Sequence, residues 1–177
     1  MDTRAVERAL ERMAREVVEL NGGGVTGLCL IGIQRRGVEL AHRLADAIDQ
    51  AEGARPETGS LDITLYRDDL MAIGPRPVVG ETRLPPTGID GRIVVVVDDV
   101  CYSGRTARAA LDELADFGRP ARIVLCVLID RGGRELPIQP DVVGRRIEAA
   151  ADERIDVHVP ELDGELAVER SAVTAEP

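Results

Sequence analysis

Apolar residues recur at three- and four-residue intervals over the first twenty positions, which predicts an amphipathic α-helix. Asp2 or Thr3 can cap its first turn, and Asn21–Gly22 is a typical helix end. The predicted buried stripe consists of Val6, Leu10, Met13, Val17 and Leu20. An unbroken apolar segment, Leu28–Ile33, then predicts a buried strand, and a second helix is expected near Val38–Ile48.

Further along the chain, apolar segments alternate with helical patterns. The strongest predicted strands are Ile93–Val97 and Ile123–Ile129, because unbroken runs rich in β-branched residues suit strands buried on both faces. A helix is expected between them, from about Arg105 to Phe117. Shorter strands are predicted at Leu61–Tyr66, Val142–Val143, Ile155–Val159 and Leu166–Val168. This alternation predicts an α/β fold with a central parallel sheet flanked by helices, in which ligands bind beyond the carboxyl ends of the strands.

The remaining segments are distinguished by loop-forming residues and by charge. A chain of 177 residues is expected to form a single domain. Residues from about 68 to 91 are rich in proline and glycine and are predicted to form a long flexible loop. The segment from about 148 to 177 is acidic, since nine acidic residues stand against four arginines from Arg145 onward.

Composition excludes several classes of site. The chain has no lysine, so all 22 basic residues are arginine, which excludes a Walker A loop and a lysine Schiff base. His42 and His158 lie far apart in sequence, which argues against a histidine triad or a zinc site. The net charge of −10 argues against a protein that coats DNA, so an anion-binding face must be local and built from arginine.

Cysteine usage and hydropathy indicate the cytoplasm. Cys29, Cys101 and Cys126 have no metal-ligand spacing and are expected to be buried free thiols in a reducing compartment. No apolar segment approaches the roughly 20 residues that cross a bilayer, and the first twenty residues are charged throughout. We therefore expect a cytoplasmic protein without a membrane segment.

One glycine-rich segment, Gly22–Gly27, matches the letters of a dinucleotide-binding motif. That motif must follow a strand and open a helix, because the helix N-terminus binds the pyrophosphate. Here the glycines follow a predicted helix and enter a predicted strand. We therefore do not expect them to bind a cofactor.

The segment after the strongest strand carries a phosphate-site pattern. Ser103, Gly104 and Thr106 offer hydroxyls and backbone N–H groups at a predicted helix N-terminus, where phosphate binds well. Asp98 and Asp99 would repel phosphate, but they suit the vicinal hydroxyls of a ribose and can help to hold Mg²⁺ indirectly. A ribose 5′-phosphate would suit both, with its hydroxyls at the acidic pair and its phosphate at the helix N-terminus. The alternative is that the acidic pair only ends the strand and Ser103 only caps the helix.

Val94–Thr106 resembles the PRPP-binding signature of the type I phosphoribosyltransferases. Asp62–Leu70 and Asp130–Pro137 further resemble one branch, the PyrR family of pyrimidine operon attenuation regulators that are also uracil phosphoribosyltransferases. The likeness extends from about residue 5 to 170. It implies the type I phosphoribosyltransferase fold with a flexible loop and a small hood at about 130–147. It also implies transfer of ribose phosphate from PRPP to uracil, giving UMP and diphosphate, with Mg²⁺ carried by PRPP.

The resemblance also implies roles for individual residues. Asp98 and Asp99 would bind the ribose hydroxyls and act in catalysis. Gly32–Gly37 matches the pyrophosphate loop, where Arg36, and with less support Arg35, would bind the leaving group; Arg35 replaces a frequent threonine and could be only a solvated charge. The implied PRPP- and nucleotide-binding set is Arg35, Arg36, Asp98, Asp99, Val100, Cys101, Tyr102, Ser103, Gly104, Arg105 and Thr106.

Other implied residues surround the base and the reacting atoms. Arg67 would be catalytic, on the segment that closes over the reaction and excludes water. Asp68 and Asp69 could act there or be solvated acids. Arg131 and Val143 are expected near the base, and a tyrosine at position 102 fits a pyrimidine better than the aspartate of the purine enzymes.

An RNA-binding role follows only from the family. The implied residues are Arg12, Arg15, Arg134, Arg145 and Arg146, which would contact a leader mRNA of pyrimidine genes in a UMP-dependent way. Gly133, where relatives often have histidine, and Gln139, where they often have a basic residue, weaken this expectation, as does the charge of Glu11. An enzyme or nucleotide sensor without attenuation therefore stays an alternative. The family also suggests a homo-oligomer.

Overall fold

The computed structural model describes residues 1–66, 80–150 and 152–173. The predicted loop residues 68–79 and Arg67 lie outside these ranges. The helices are α1 (Thr3–Leu20), α2 (Arg36–Glu52), α3 (Arg105–Phe117) and the single turn α4 (Pro160–Asp163). The strands are β1 (Leu28–Ile33), β2 (Glu57–Leu61), β3 (Ile93–Cys101), β4 (Arg122–Asp130), β5 (Val142–Arg146), β6 (Glu153–His158) and β7 (Ala167–Ala172).

Five strands form one parallel sheet in the order β2-β1-β3-β4-β5. The apolar strands β1, β3 and β4 occupy its centre, because their residues can be buried from both sides. In this register Val97 of β3 lies opposite Gly32 of β1 and Cys126 of β4. The predicted α/β fold with a central parallel sheet is confirmed.

Helices cover both faces of the sheet. The apolar stripes of α1 and α2 pack on one face, where Leu10, Met13, Leu40 and Leu44 are fully or almost fully buried. On the other face Leu114 of α3 packs in a second cluster of buried residues. The apolar periodicity of the helices therefore directs them to the two sides of the sheet.

The prediction of a strand at Leu61–Tyr66 is wrong. The strand β2 ends at Leu61, and Ile63–Tyr66 forms a short 3₁₀ turn. The physical reason is Asp62, whose Oδ1 accepts the Thr64 N–H at 3.0 Å and so folds the backbone out of the sheet. The polar sequence of β2 carries no strand pattern, because an edge strand needs little burial.

The acidic C-terminal segment forms an antiparallel hairpin of β6 and β7 joined by α4. Its inward residues Ile155, Val157 and Val168 join the core on the side of α1 and α2. Alternation of apolar and acidic residues thus lets this segment pack while its charges face outward.

The structure also bears on the cysteines, the glycine-rich segment and membrane-spanning helices. All three cysteines are free and buried, as predicted. Gly22–Gly27 links α1 to β1, which is the order the sequence predicted. Within the described ranges, no helix is long and apolar enough to cross a membrane.

Candidate active site

The carboxyl ends of β1, β3 and β4 bring three loops to one edge of the sheet. Gln34–Arg35 follows β1, Tyr102–Gly104 follows β3, and residues 131–141 follow β4. Neighbouring parallel strands end side by side, so residues distant in sequence meet at this edge. We call these segments the β1 loop, the β3 loop and the β4 loop.

The acidic pair lies near the end of β3. Asp98 is only 9% exposed, and burial together with the nearby charge of Asp99 raises the pKa of its carboxyl group well above the usual range. Asp98 accepts the Asp99 N–H at 2.9 Å, and Asp99 accepts the Val100 N–H at 2.7 Å. A carboxylate in such a setting gains from partners that donate hydrogen bonds or bring positive charge.

Asp98 shares a cavity of about 120 Å³ with the β3 loop. Its wall is formed by Asp98, Val100, Cys101, Tyr102, Ser103, Gly104, Thr106, Ala107, Leu125 and Val127. Hydroxyls and the N-terminus of α3 thus face the same space as a carboxylate. This arrangement suits a ligand with hydroxyl groups at one end and a phosphate at the other.

Gly104 shapes the β3 loop. Its φ of 92° places it in the left-handed region as the N-cap of α3, which favours glycine. The preceding Ser103 carbonyl accepts the N–H groups of Glu135 and Leu136, each at 3.0 Å. Arg105 also pairs with Glu135 at 2.8 Å. The β4 loop is therefore fastened to the β3 loop.

The β1 loop approaches the acidic pair through glycine. A Cβ on Gly37 would overlap the Val97 carbonyl oxygen and lie 3.3 Å from the Asp98 Cα. A Cβ on Gly32 would overlap the backbone of Gly37. The Gln34–Arg35 peptide bond is cis. Close backbone contact thus places Arg35 and Arg36 beside the end of β3.

The β4 loop packs against Tyr102 of the β3 loop. Arg131 stacks on the Tyr102 ring, with its guanidinium carbon 4.1 Å from the ring centroid. Gly133, with a φ of 75°, lies so near the ring that a Cβ there would overlap it. In this chain a β-carbon at position 133 and the observed Tyr102 orientation are therefore incompatible.

Arg134 is held inside this assembly. Its side chain is 12% exposed and donates to Asp130 at 2.7 Å, to the Tyr102 carbonyl at 2.6 Å and to the Ile138 carbonyl at 2.9 Å. These bonds connect both loops to the end of β4. The geometry favours a structural role for Arg134 over contact with a macromolecule.

The remaining candidate residues are distributed over two places. Val143 is opposite Val127, which is itself opposite Asp98, so Val143 belongs to the same row two strands from the acidic pair. Arg12 donates to the Val143 carbonyl at 3.0 Å, which brings α1 beside β5 and its exposed Arg145 and Arg146. Arg15 lies one turn further along α1 and is paired with Glu11. Arg67 lies outside the described residues.

Sequence reasoning missed two acidic groups, one that binds Arg36 and one that is buried on α3. Asp163 of α4 binds Arg36, a contact between distant segments that no local pattern indicates. Glu113 is 3% exposed and accepts a hydrogen bond from Thr82, and burial raises the pKa of its carboxyl group. An acidic residue on the apolar stripe of α3, one position before Leu114, was the available signal for Glu113.

The described residues contain no cluster of three or more metal-ligating side chains. Asp98 and Asp99 supply carboxylate oxygens, the donor type that Mg²⁺ prefers. Two carboxylates fit a Mg²⁺ ion that arrives with ligand oxygens of its own, and they would not form a complete site without them.

Known proteins resemble this chain over most of its length. Residues 1–161 match the phosphoribosyl transferase domain family. A Thermus aquaticus protein named Bifunctional protein PyrR is 54% identical over 169 residues, which cover 96% of this chain and 92% of the relative. Relatives of the same name occur in Roseiflexus sp., with 55% identity over 93% of this chain and 88% of the relative, and in Clostridioides difficile, with 49% identity over 95% and 94%.

Solved structures agree on the fold. The hypoxanthine phosphoribosyltransferase of Trypanosoma cruzi is similar with a TM-score of 0.69 and 19% identity, over 98% of this chain and 94% of that one. A purine phosphoribosyltransferase from Pyrococcus horikoshii gives a TM-score of 0.62 and 22% identity, over 84% and 86%. The type I fold and the family predicted from the sequence are confirmed: the chain belongs to the phosphoribosyltransferases and, among them, to the bifunctional PyrR proteins.

Proposed function

We propose that this protein transfers the 5-phosphoribosyl group from PRPP to uracil, giving UMP and diphosphate, and that its UMP-bound form binds a leader mRNA of pyrimidine genes. The observation that carries the enzymatic part is the shared cavity of Asp98 and the β3 loop. It joins groups for a ribose and for a phosphate within about 120 Å³. PRPP and UMP both carry these two groups.

Each loop has a distinct task in this reaction. Asp98 and Asp99 accept hydrogen bonds from the ribose hydroxyls, and the N–H groups and hydroxyls from Tyr102 to Thr106 bind the 5′-phosphate. Arg36, aided by Arg35, binds the diphosphate through forked contacts. Mg²⁺ carried with PRPP neutralises charge on the diphosphate.

The chemistry exchanges one bond at C1′ of the ribose. The bond from C1′ to the diphosphate oxygen breaks, a bond to the uracil nitrogen forms, and that nitrogen loses its proton. Positive charge develops on the ribose during the exchange, and the nearby carboxylates of Asp98 and Asp99 stabilise it. Arg131, stacked on Tyr102, and Val143 contribute to the base side of the site.

Diphosphate release tests the enzymatic part. Purified protein is mixed with PRPP, Mg²⁺ and one base, taken from uracil, orotate, adenine, guanine and hypoxanthine. We expect release with uracil alone and its loss in the Asp98→Asn, Asp99→Asn double variant. The control is Asp46→Asn, which removes an exposed carboxylate paired with Arg55, ten residues after Arg36 on α2. Release with a purine would contradict the proposed base specificity.

The RNA-binding part rests on a basic face on an acidic protein. Arg145 and Arg146 are exposed at the end of β5 and, with Arg170, line a groove of about 590 Å³ that Glu148 and Glu169 also line. Arg12 donates to the β5 backbone beside this pair, but it is itself paired with Glu16 at 2.5 Å, so Arg145 and Arg146 carry the face's net positive charge. We therefore assign RNA contact to the α1–β5 side and a positioning role to Arg134.

Salt-dependent RNA binding tests this part. The Arg145→Ala, Arg146→Ala double variant should bind leader RNA more weakly and with a smaller salt dependence, because fewer counterions are released. Its uracil turnover should stay near the wild-type rate. The control, Arg119→Ala with Arg122→Ala, removes equal charge before and at the start of β4, at the amino-terminal ends of the parallel strands rather than the carboxyl ends. Unchanged RNA affinity in the first variant would refute the assignment of RNA contact to Arg145 and Arg146. A wild-type protein that binds no leader RNA would leave the alternative of an enzyme without attenuation.

Domain organisation, cellular location and oligomeric state belong to the same proposal. We infer a single phosphoribosyltransferase domain that acts in the cytoplasm, where its buried thiols stay reduced. We also infer a homo-oligomer, supported by the apolar side chains of Leu111 and Phe117, which are 38% and 48% exposed on α3. Light scattering of the purified chain measures this state directly.

A further inference from the structure

The Arg36 guanidinium is held by an acid from the other end of the chain. Its Nη2 donates to the Asp163 Oδ1 at 2.8 Å, and its Nε donates to the Asp163 Oδ2 at 3.2 Å. This two-point contact fixes the plane of the guanidinium as well as its position. The ion pair raises the pKa of Arg36 and lowers the pKa of Asp163.

Asp163 is itself fixed. Its Oδ2 accepts the Val159 N–H at 2.9 Å, and Val159 is completely buried in the core. About two turns from the start of α2, Arg43 forms a second ion pair across the same interface, with Glu161 at 2.6 Å. The hairpin of β6 and β7 therefore meets the first half of α2 through two separate ion pairs.

The contact leaves part of Arg36 available. Asp163 uses the Nε hydrogen and one Nη2 hydrogen, so both Nη1 hydrogens and the second Nη2 hydrogen can donate elsewhere. Gly37, the residue after Arg36, packs against the Val97 carbonyl and lies beside the Asp98 Cα, which places the start of α2 next to the acidic pair. An arginine held along one edge offers its other edge in a single orientation.

We propose that Asp163 is a positioning residue that orients Arg36 toward the diphosphate of PRPP. This inference rests on the proposed function, in which Arg36 binds the leaving group. The carboxylate of Asp163 does not touch the substrate. It removes rotamer freedom from Arg36 before binding, so less entropy is lost when the diphosphate arrives.

The test compares ligands that do and do not contain a diphosphate. Binding of Mg²⁺-diphosphate and of UMP is measured by calorimetry for the wild type, Asp163→Asn and Glu161→Gln. Asp163→Asn should weaken diphosphate binding by about two- to tenfold, the effect of ordering one flexible side chain on binding. UMP binding should stay unchanged, because UMP lacks the diphosphate. Glu161→Gln, a matched change at the same interface, should alter neither.

Two further variants separate the possible failures. Arg36→Ala should weaken diphosphate binding, and adding Asp163→Asn to it should have no further effect, because Asp163 acts through Arg36. If Arg36→Ala weakens binding and Asp163→Asn does not, the positioning role of Asp163 is refuted and the proposed function stands. If Arg36→Ala leaves diphosphate binding unchanged, the leaving-group role of Arg36 in the proposed function fails. Tighter diphosphate binding or weaker UMP binding in Asp163→Asn would also refute the inference.

Discussion

Replacing Gly37 by alanine tests whether the β1 loop must touch the backbone of β3. Gly37 is buried in the first turn of α2. By helix propensity alone the change should stabilise the protein by about 1 kcal/mol. The new Cβ, however, would lie closer than 3.0 Å to the Val97 carbonyl oxygen, a separation that real Cβ atoms essentially never show. The two effects have opposite signs, so their magnitudes decide the result.

The strand cannot move away from the new methyl group. Val97 is fully buried and is flanked in the sheet by Gly32 and Cys126, so a shift of its carbonyl would disturb three strands. The β1 loop must therefore move, by roughly half an ångström or more, at a cost of about 1–3 kcal/mol. Subtracting the helix gain leaves a net loss of roughly 0–2 kcal/mol. The fold should survive while the site changes.

The catalytic effect should exceed the loss of stability. A displacement of about 1 Å can cost about 100-fold in rate, so a shift of Arg35 and Arg36 should lower kcat/KM for PRPP by about 10- to 100-fold. The assay is initial-rate diphosphate release with uracil, together with urea denaturation. Gly24→Ala is the matched control, because a Cβ there meets no atom within 4 Å. A Gly37→Ala enzyme within twofold of the wild-type kcat/KM would refute the argument.

Three other changes address buried groups. Burial raises the pKa of the Glu113 carboxyl group, so the wild type should lose stability as pH rises through that higher pKa. Glu113→Gln should therefore have the higher Tm at pH 8, by about 2–4 °C for each kcal/mol of stability that the wild type loses, and no advantage near pH 4. Arg134→Ala leaves the buried Asp130 without its 2.7 Å partner and should lower the free energy of unfolding, measured in urea, by about 3–5 kcal/mol. Arg146 lies 4.0 Å from the same carboxylate and is 80% exposed, so Arg146→Ala should lower it by less than about 1 kcal/mol. All three cysteines are buried, and burial raises the pKa of the Cys101 thiol to about 11. Iodoacetamide at pH 8 should therefore modify the cysteines only after unfolding, and labelling of the native chain would contradict this.

The elements that the sequence predicted well are those whose burial is decided locally. Leu28–Ile33 and Arg105–Phe117 have the bounds that their apolar patterns predict. Ile93–Val97 was predicted too short, since β3 continues through the acidic pair to Cys101. Its last residues pair with β4 despite their polar side chains, and a hydropathy pattern does not register such pairing. The strand Glu57–Leu61 was not predicted, because its polar residues also pair in the sheet without a hydropathy pattern.

The candidate site was predictable where one short segment carries the chemistry. The order of strand, acidic pair, Ser-Gly-x-Thr and helix predicts a phosphate site, and Asp98, Ser103, Gly104 and Thr106 do line one cavity. Contacts between distant segments were not predictable. The pairing of Arg36 with Asp163 depends on how the C-terminal hairpin packs on α2, and the fit of Gly133 against Tyr102 depends on the β4 loop.

The ion pairs explain how an acidic protein can offer sites for polyanions. At neutral pH a carboxylate beside each arginine lowers the local net charge, as Asp163 does for Arg36 and Glu135 does for Arg105. At Arg36 what remains is direction, because Asp163 holds the guanidinium along one edge and leaves the other edge to donate. Recognition at the proposed nucleotide site therefore depends on oriented hydrogen bonds, to which the backbone of the β3 loop contributes. The basic face at β5 differs, because Arg146 is 80% exposed and its only close carboxylate among the described residues is Asp130 at 4.0 Å. There the attraction is of longer range and is screened by salt, which suits a flexible polyanion better than a small nucleotide.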